Sequence, residues 1–130
     1  MTLAVGADLQ GIDEVRESIE IYGVRYLRRI YTDREIADCA RQPSDVARAF
    51  AARFAAKEAV FKILKDDDVI AAWKDIEVSL DSGRPVIALR GGAAQLASRQ
   101  GIATIALSLS QSSGTAAAVV VAERASGSSR

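Results

Sequence analysis

Apolar and polar positions change rhythm several times along the chain, and each change marks an expected element. Residues 3–7 form a short apolar run of strand length, closed by Asp8. From Ile12 the apolar residues fall at Ile12, Val15, Ile19 and Tyr22, intervals of three or four that define one helix face. Gly23 is placed to end that helix in a left-handed conformation. Thr32 and Glu35 have the capping-box spacing, which predicts a second short helix from Asp33. Pro43-Ser44 breaks the chain, and Ser44 is placed to cap the longest helix, expected over residues 45–65. Beyond the acidic run Asp66-Asp67-Asp68, the residues Ile76, Val78 and Leu80 alternate with Glu77 and Ser79, the pattern of a half-buried strand. Asp81-Ser82-Gly83-Arg84 reads as a turn into a second strand over 85–89, giving a hairpin. Gly91-Gly92 introduces a short helix over 93–99, and two strands over 104–110 and 115–123 complete the pattern.

The order is strand, helices, hairpin, helix, hairpin, with no repeat and no linker. It predicts one α+β domain over residues 1–124, with a mainly antiparallel sheet and helices packed on one side. The small, polar residues 125–130 read as a disordered tail.

Composition narrows the chemistry. A length of 130 residues, of which 49% are hydrophobic, suits one folded domain with its own core. Seventeen basic residues balance seventeen acidic ones, so bulk charge does not attract nucleic acid and no nucleic-acid partner is expected. An RNA-binding module built on Arg25, Arg28, Arg29 and Arg34 would also need stacking aromatics, and aromatic content is 5%. Cys39 is the only cysteine and there is no histidine, which leaves no ligand set for structural zinc and no Ser–His–Asp triad. A metal here would be held by oxygen, which favours magnesium, calcium or manganese. The first eight residues lack a secretory signal's features, and no apolar stretch approaches bilayer length. A cytoplasmic protein with no membrane partner is expected.

The longest helix carries the chemistry. On a helical wheel Val46, Phe50, Phe54, Phe61 and Leu64 form one apolar stripe, and Lys57 falls within it. An ammonium there needs an anionic partner. Glu58 and Lys62, four residues apart, sit together at one edge of the stripe, and Arg53 lies on the opposite edge. An amphipathic helix with a surface ion pair and a snorkelling lysine would give this pattern. So would a phosphate-and-metal site in which Glu58 holds a hard cation and the lysines face anionic oxygens.

The run Arg53-Phe54-Ala55-Ala56-Lys57-Glu58-Ala59-Val60-Phe61-Lys62 resembles the (F/W)-x-x-K-E-(A/S)-x-x-K motif of phosphopantetheinyl transferases. Gly6-Ala7-Asp8 resembles the Gly-x-Asp signature of the same proteins, and residues 12–32 the helical segment after it. Trp73-Lys74-Asp75-Ile76-Glu77-Val78 with Gly83-Arg84-Pro85 resembles their D-I-E-V hairpin. Ser108-Leu109-Ser110 and Ala116-Ala117-Ala118-Val119 resemble their last two strands. In order and spacing, over residues 5–122, the chain is similar to the holo-acyl-carrier-protein synthase family.

That resemblance implies transfer of phosphopantetheine from coenzyme A to a serine of an apo acyl-carrier or peptidyl-carrier protein, with Mg2+ and in a homotrimer. It implies Asp8, Glu58 and Lys62 as catalytic residues, with Asp8 and Glu58 as the magnesium ligands. It also implies Arg53, Lys57, Gly83, Pro85, Ser110 and Gln111 as coenzyme contacts. Three positions depart from the pattern. Gln111 stands where the family usually has histidine. Residues 63–68 replace a glycine-containing loop and bring three carboxylates. Glu14 stands where the first helix commonly has an arginine for an acidic carrier, although Arg16, Arg25, Arg28 and Arg29 are near in sequence. Two readings stay open: an active transferase with rearranged contacts, or a homologue that binds coenzyme A or a carrier without transfer.

Overall fold

The structure, a computed structural model, describes residues 1–42, 45–66 and 68–125. Its elements follow the expected order: β1 (Thr2–Gly11), α1 (Ile12–Tyr22), α2 (Val24–Ile30), α3 (Asp33–Ala40) and α4 (Val46–Leu64) come first. A 3-10 turn (Trp73–Asp75), β2 (Ile76–Asp81), β3 (Arg84–Leu89), α5 (Gly91–Arg99), β4 (Ile105–Gln111) and β5 (Thr115–Arg124) follow. The strands divide between two antiparallel sheets, β1-β5-β4 and β2-β3. The first strand pairs with the last along its whole length, from Thr2 opposite Arg124 to Gly11 opposite Thr115. That pairing carries β1 past Asp8, where the apolar run stops.

Local chemistry sets the boundaries. Gly23, at φ +58°, ends α1 and starts α2 immediately, so the helical segment over 12–32 is broken in two. The Thr32–Glu35 capping box is formed: Thr32 Oγ1 accepts from Glu35 N at 3.2 Å, and Glu35 Oε1 accepts from Thr32 N at 2.9 Å. Asp45, expected as the first helical residue, is the N-cap of α4, its side chain accepting from Arg48 N at 3.2 Å. The expected break at Pro43-Ser44, with Ser44 as the cap, lies outside the described residues. So do Asp67 and residues 126–130 of the expected tail. Ser82 and Gly83, at φ +51° and +82°, make the two-residue turn between β2 and β3, where paired positive φ suits the strand twist.

The core is built around α4. Its buried residues include Ala47, Ala51, Ala52, Ala55, Ala56 and Ala59 as well as Phe50, Val60 and Leu64, so the helix is covered on most sides. Val46, placed by the wheel on the apolar stripe, is 39% exposed. The stripe therefore does not mark the only packed face; small alanines pack on the side it left open. Ala4, Ala118, Val120 and Ala122 from the inner face of the larger sheet join α4 in one cluster with Ile76 and Val78. Gly6 shows how tight this layer is, because a Cβ there would lie 2.3 Å from the Ala59 carbonyl oxygen. Arg124 closes the far end of α4, donating to Ile63 O at 3.2 Å where the helix dipole is negative.

Candidate active site

Strand alternation places Gly6 and Asp8 on the same face of β1. The close approach at Gly6 therefore delivers Asp8 to the side of α4 that carries Glu58 and Lys62. Lys62 Nζ lies 3.1 Å from Asp8 Oδ1 and donates to Ala7 O at 2.7 Å. Glu58 is partly buried beside them. Its carboxyl is raised above the ordinary glutamate range, first by burial and then by the charge of Asp8, with Lys62 opposing. Two carboxylates and one ammonium thus converge from a strand and a helix. The Lys62 side chain is 53% exposed and long enough to leave Asp8 for another anion.

Lys62 borders two cavities, each of about 410 Å³. One runs along α4 past Glu58, Phe61, Asp66, Val69 and Trp73; the other lies over Asp8, Leu9, Ala117 and Val119. A larger cavity of about 500 Å³ sits at the opposite end of the β1–β5 pair, around Leu3, Ala106 and Val121, away from the carboxylates. Asp66, from the acidic run, reaches the rim of the Trp73 cavity and also accepts from Asp68 N at 2.7 Å.

The remaining expected contacts lie elsewhere. Lys57, expected at the phosphates, is fully buried and paired with Glu35 at 2.8 Å, both side chains at 0% exposure. Its ammonium also donates to Trp73 O at 3.1 Å and to Ile76 O. Burial holds Lys57 below the ordinary lysine range, and Glu35 works against that shift. The lysine on the apolar stripe has the anion it needs, and that anion is an internal one. Arg53 is also buried, at 5% exposure, with Nη1 donating to Ala49 O at 3.4 Å. Its Nε and Nη2, also buried, have no hydrogen-bond partner among the described residues.

Gly83 stands at the exposed tip of the β2–β3 hairpin with Pro85 just after it, and neither lines the cavities beside Lys62. Ser110 and Gln111 are exposed at the end of β4. Gln111 Oε1 accepts from Arg48 Nη1 at 3.4 Å. Arg48 is ten residues before Glu58 on α4, about 15 Å along the axis. One chain therefore gathers Asp8, Glu58 and Lys62 and leaves the second group, Ser110, Gln111 and Arg48, apart. Sequence reasoning missed Arg48, because nothing in its spacing pairs it with a residue on the last hairpin. It also missed Glu35, which the capping box accounts for without a second role.

A model of the 4'-phosphopantetheinyl transferase superfamily matches residues 4–120. The holo-[acyl-carrier-protein] synthase of Desulforudis audaxviator is 41% identical over 131 residues, covering 100% of this chain and 99% of that protein. Its counterpart from Paramagnetospirillum magneticum is 43% identical over 130 residues, covering 95% of this chain and 97% of that protein. Among solved structures, the ACPS–CoA complex of Chronobacterium ammoniagenes superposes with a TM-score of 0.84 at 26% identity, covering 96% of this chain and 99% of that one.

Proposed function

Because the chain belongs to the 4'-phosphopantetheinyl transferase superfamily, we propose that it moves 4'-phosphopantetheine from coenzyme A to a serine hydroxyl of an apo acyl-carrier or related carrier protein. The observation that carries this reading is the convergence of Asp8, Glu58 and Lys62 where β1 meets α4, at the two cavities that Lys62 borders. In such a transfer the serine oxygen attacks the phosphorus bearing the pantetheine arm. The bond from that phosphorus to the bridging diphosphate oxygen breaks, 3',5'-ADP leaves, and the serine proton passes to a carboxylate of the site or to water. The protein supplies charge neutralisation and alignment, with no nucleophile of its own. Lys62 neutralises a diphosphate oxygen, and the Phe61–Trp73 wall gives the methyl and methylene groups of the pantetheine arm a surface to lie against.

Magnesium fits this donor set. Asp8 and Glu58 are hard oxygen ligands; burial first and then the charge of Asp8 raise Glu58, and a cation would offset both. Among the described residues no group of three or more such side chains gathers, so Asp8 and Glu58 are the two that would hold it. Bound there, magnesium would supply charge compensation to the diphosphate.

The separation of Gln111 and Arg48 from Glu58 supports a homotrimer whose sites are completed by a neighbouring copy. Leu3, Val5, Leu9 and Val119, exposed on the outer face of the larger sheet, supply an apolar surface for it. No helix among the described residues is long and apolar enough to cross a membrane. A homologue that binds without transferring is favoured by one observation, the neutral Gln111, and the Arg48 guanidinium beside it answers that loss of charge. Incubating purified protein with coenzyme A, magnesium and apo-carriers, then weighing the carriers, decides the matter. A gain of one phosphopantetheine supports transfer; coenzyme A binding by calorimetry without any gain replaces it with the binding module.

A further inference from the structure

Lys57 and Glu58 are neighbours in sequence, yet one turns fully inward and the other faces the cavity. The inward ammonium is held from three sides, by Glu35 of α3 and by the carbonyls of Trp73 and Ile76. Glu35 Oε2 in turn accepts from Val78 N at 2.8 Å, so the same carboxylate ties α3 and α4 to β2. Next to it Thr32 Oγ1 donates to Glu77 Oε2 at 2.7 Å, and Arg90 pairs with Glu77 Oε1 at 3.2 Å. The segment so anchored presents the Trp73 ring to the cavity, stacked on Phe54 at 5.1 Å and edge-on to Phe61 at 4.9 Å. Apart from these two ring contacts with α4, the Lys57 bond to the Trp73 carbonyl is the one polar tie from α4 to Trp73 among the described residues.

We propose that Lys57 and Glu35 are positioning residues for the cavity, holding the Trp73 wall and the Glu58 face of α4 at fixed separation, and that neither touches the ligand. This rests on the reading that the cavity receives coenzyme A. A purely structural pair, removed without damage to the fold, would change stability and leave ligand affinity alone. A positioning pair would loosen the wall and weaken binding, while the groups that act on the phosphate remain in place.

The test uses the full chain, with Trp73, its only tryptophan, as the reporter. Lys57→Met with Glu35→Gln removes both buried charges at similar volume, avoiding one unpaired ion. The double variant is expected to melt cooperatively, with acrylamide quenching of Trp73 raised about twofold and KM for coenzyme A raised about tenfold. The kcat is expected to stay within about twofold of wild type. Unchanged quenching and KM overturn the proposal, and so does a loss of kcat at constant KM, which would put Lys57 in the chemistry. Trp73→Ala, which keeps every bond of the network, is expected to reproduce the KM rise; an unchanged KM there overturns the proposal even if the double variant does not fold. Wild type that binds no coenzyme A refutes the reading of the cavity, and the quenching comparison then still decides whether the pair holds Trp73.

Discussion

Gln111 shows what one side chain can and cannot supply. An amide donates and accepts but carries no charge, so a phosphate beside it would lose one charge-assisted hydrogen bond relative to a histidinium. Arg48, 3.4 Å away, restores a cation at that place from a different element. Arg48→Ala is therefore expected to lower kcat/KM for coenzyme A by about ten- to a hundredfold, the cost of roughly 1.5–3 kcal/mol for such a contact. Gln111→His is expected to change it little while Arg48 is present and to recover part of the loss in the Arg48→Ala background. Steady-state kinetics on the four proteins check this. At this scale the sequence was most legible where residues sit on one element: Glu58 and Lys62 four apart on a helix, or Gly6 and Asp8 two apart on a strand. Lys57 was legible as needing an anion, but Glu35 lies 22 residues earlier in the chain and already has a complete local role as a cap. The pairing is a tertiary fact, and only packing α3 against α4 creates it.

At the scale of elements, the contact between β1 and α4 sets the separation of the two carboxylates. A methyl group at position 6 would meet the backbone of α4, which cannot move aside as a side chain does. Gly6→Ala is expected to destabilise the fold by about 1–3 kcal/mol, the usual cost of overpacking, and to reduce transfer by moving Asp8 away from Glu58. Thermal melts and transfer rates measured together check both halves. The wheel reading of α4 missed its true burial because alanine weighs little in a hydrophobic pattern, yet alanine is what lets a sheet and a helix approach this closely. The first helices redistribute charge in a way the sequence showed only in part. Arg16 is engaged by Asp13 and, at 2.8 Å, by Asp45, so it is not free to replace the arginine absent at Glu14. Arg25, Arg28 and Arg29 remain exposed on α2. Reversing Arg28 and Arg29 to glutamate is expected to raise KM for an acidic carrier at least about tenfold, and KM for coenzyme A is expected to hold. Equal effects on both substrates would count against α2 as the carrier's docking element.

At the scale of the whole molecule, the order of elements and the two hairpins were readable, while the division into two sheets and the pairing of first strand with last were not. Those depend on contacts between the ends of the chain, which local periodicity does not encode. The outer face of β1 and β5 is apolar in alternation, with Val5 at 63% and Leu9 at 72% exposure. This face is expected to be covered in a trimer. Sedimentation of wild type should give three copies, and Val119→Glu should give a monomer with little transfer; a fully active monomeric wild type would remove the shared site. The central claim, transfer from coenzyme A by the Asp8–Glu58–Lys62 cluster, meets its most direct test in one paired time course. Carrier mass and free 3',5'-ADP are followed together for wild type, Asp8→Asn and Glu58→Gln, each first shown to be folded. The account predicts that wild type releases one 3',5'-ADP for each phosphopantetheine gained on a carrier serine, and that both variants fall by at least about a hundredfold. Wild-type rates in either variant would contradict it.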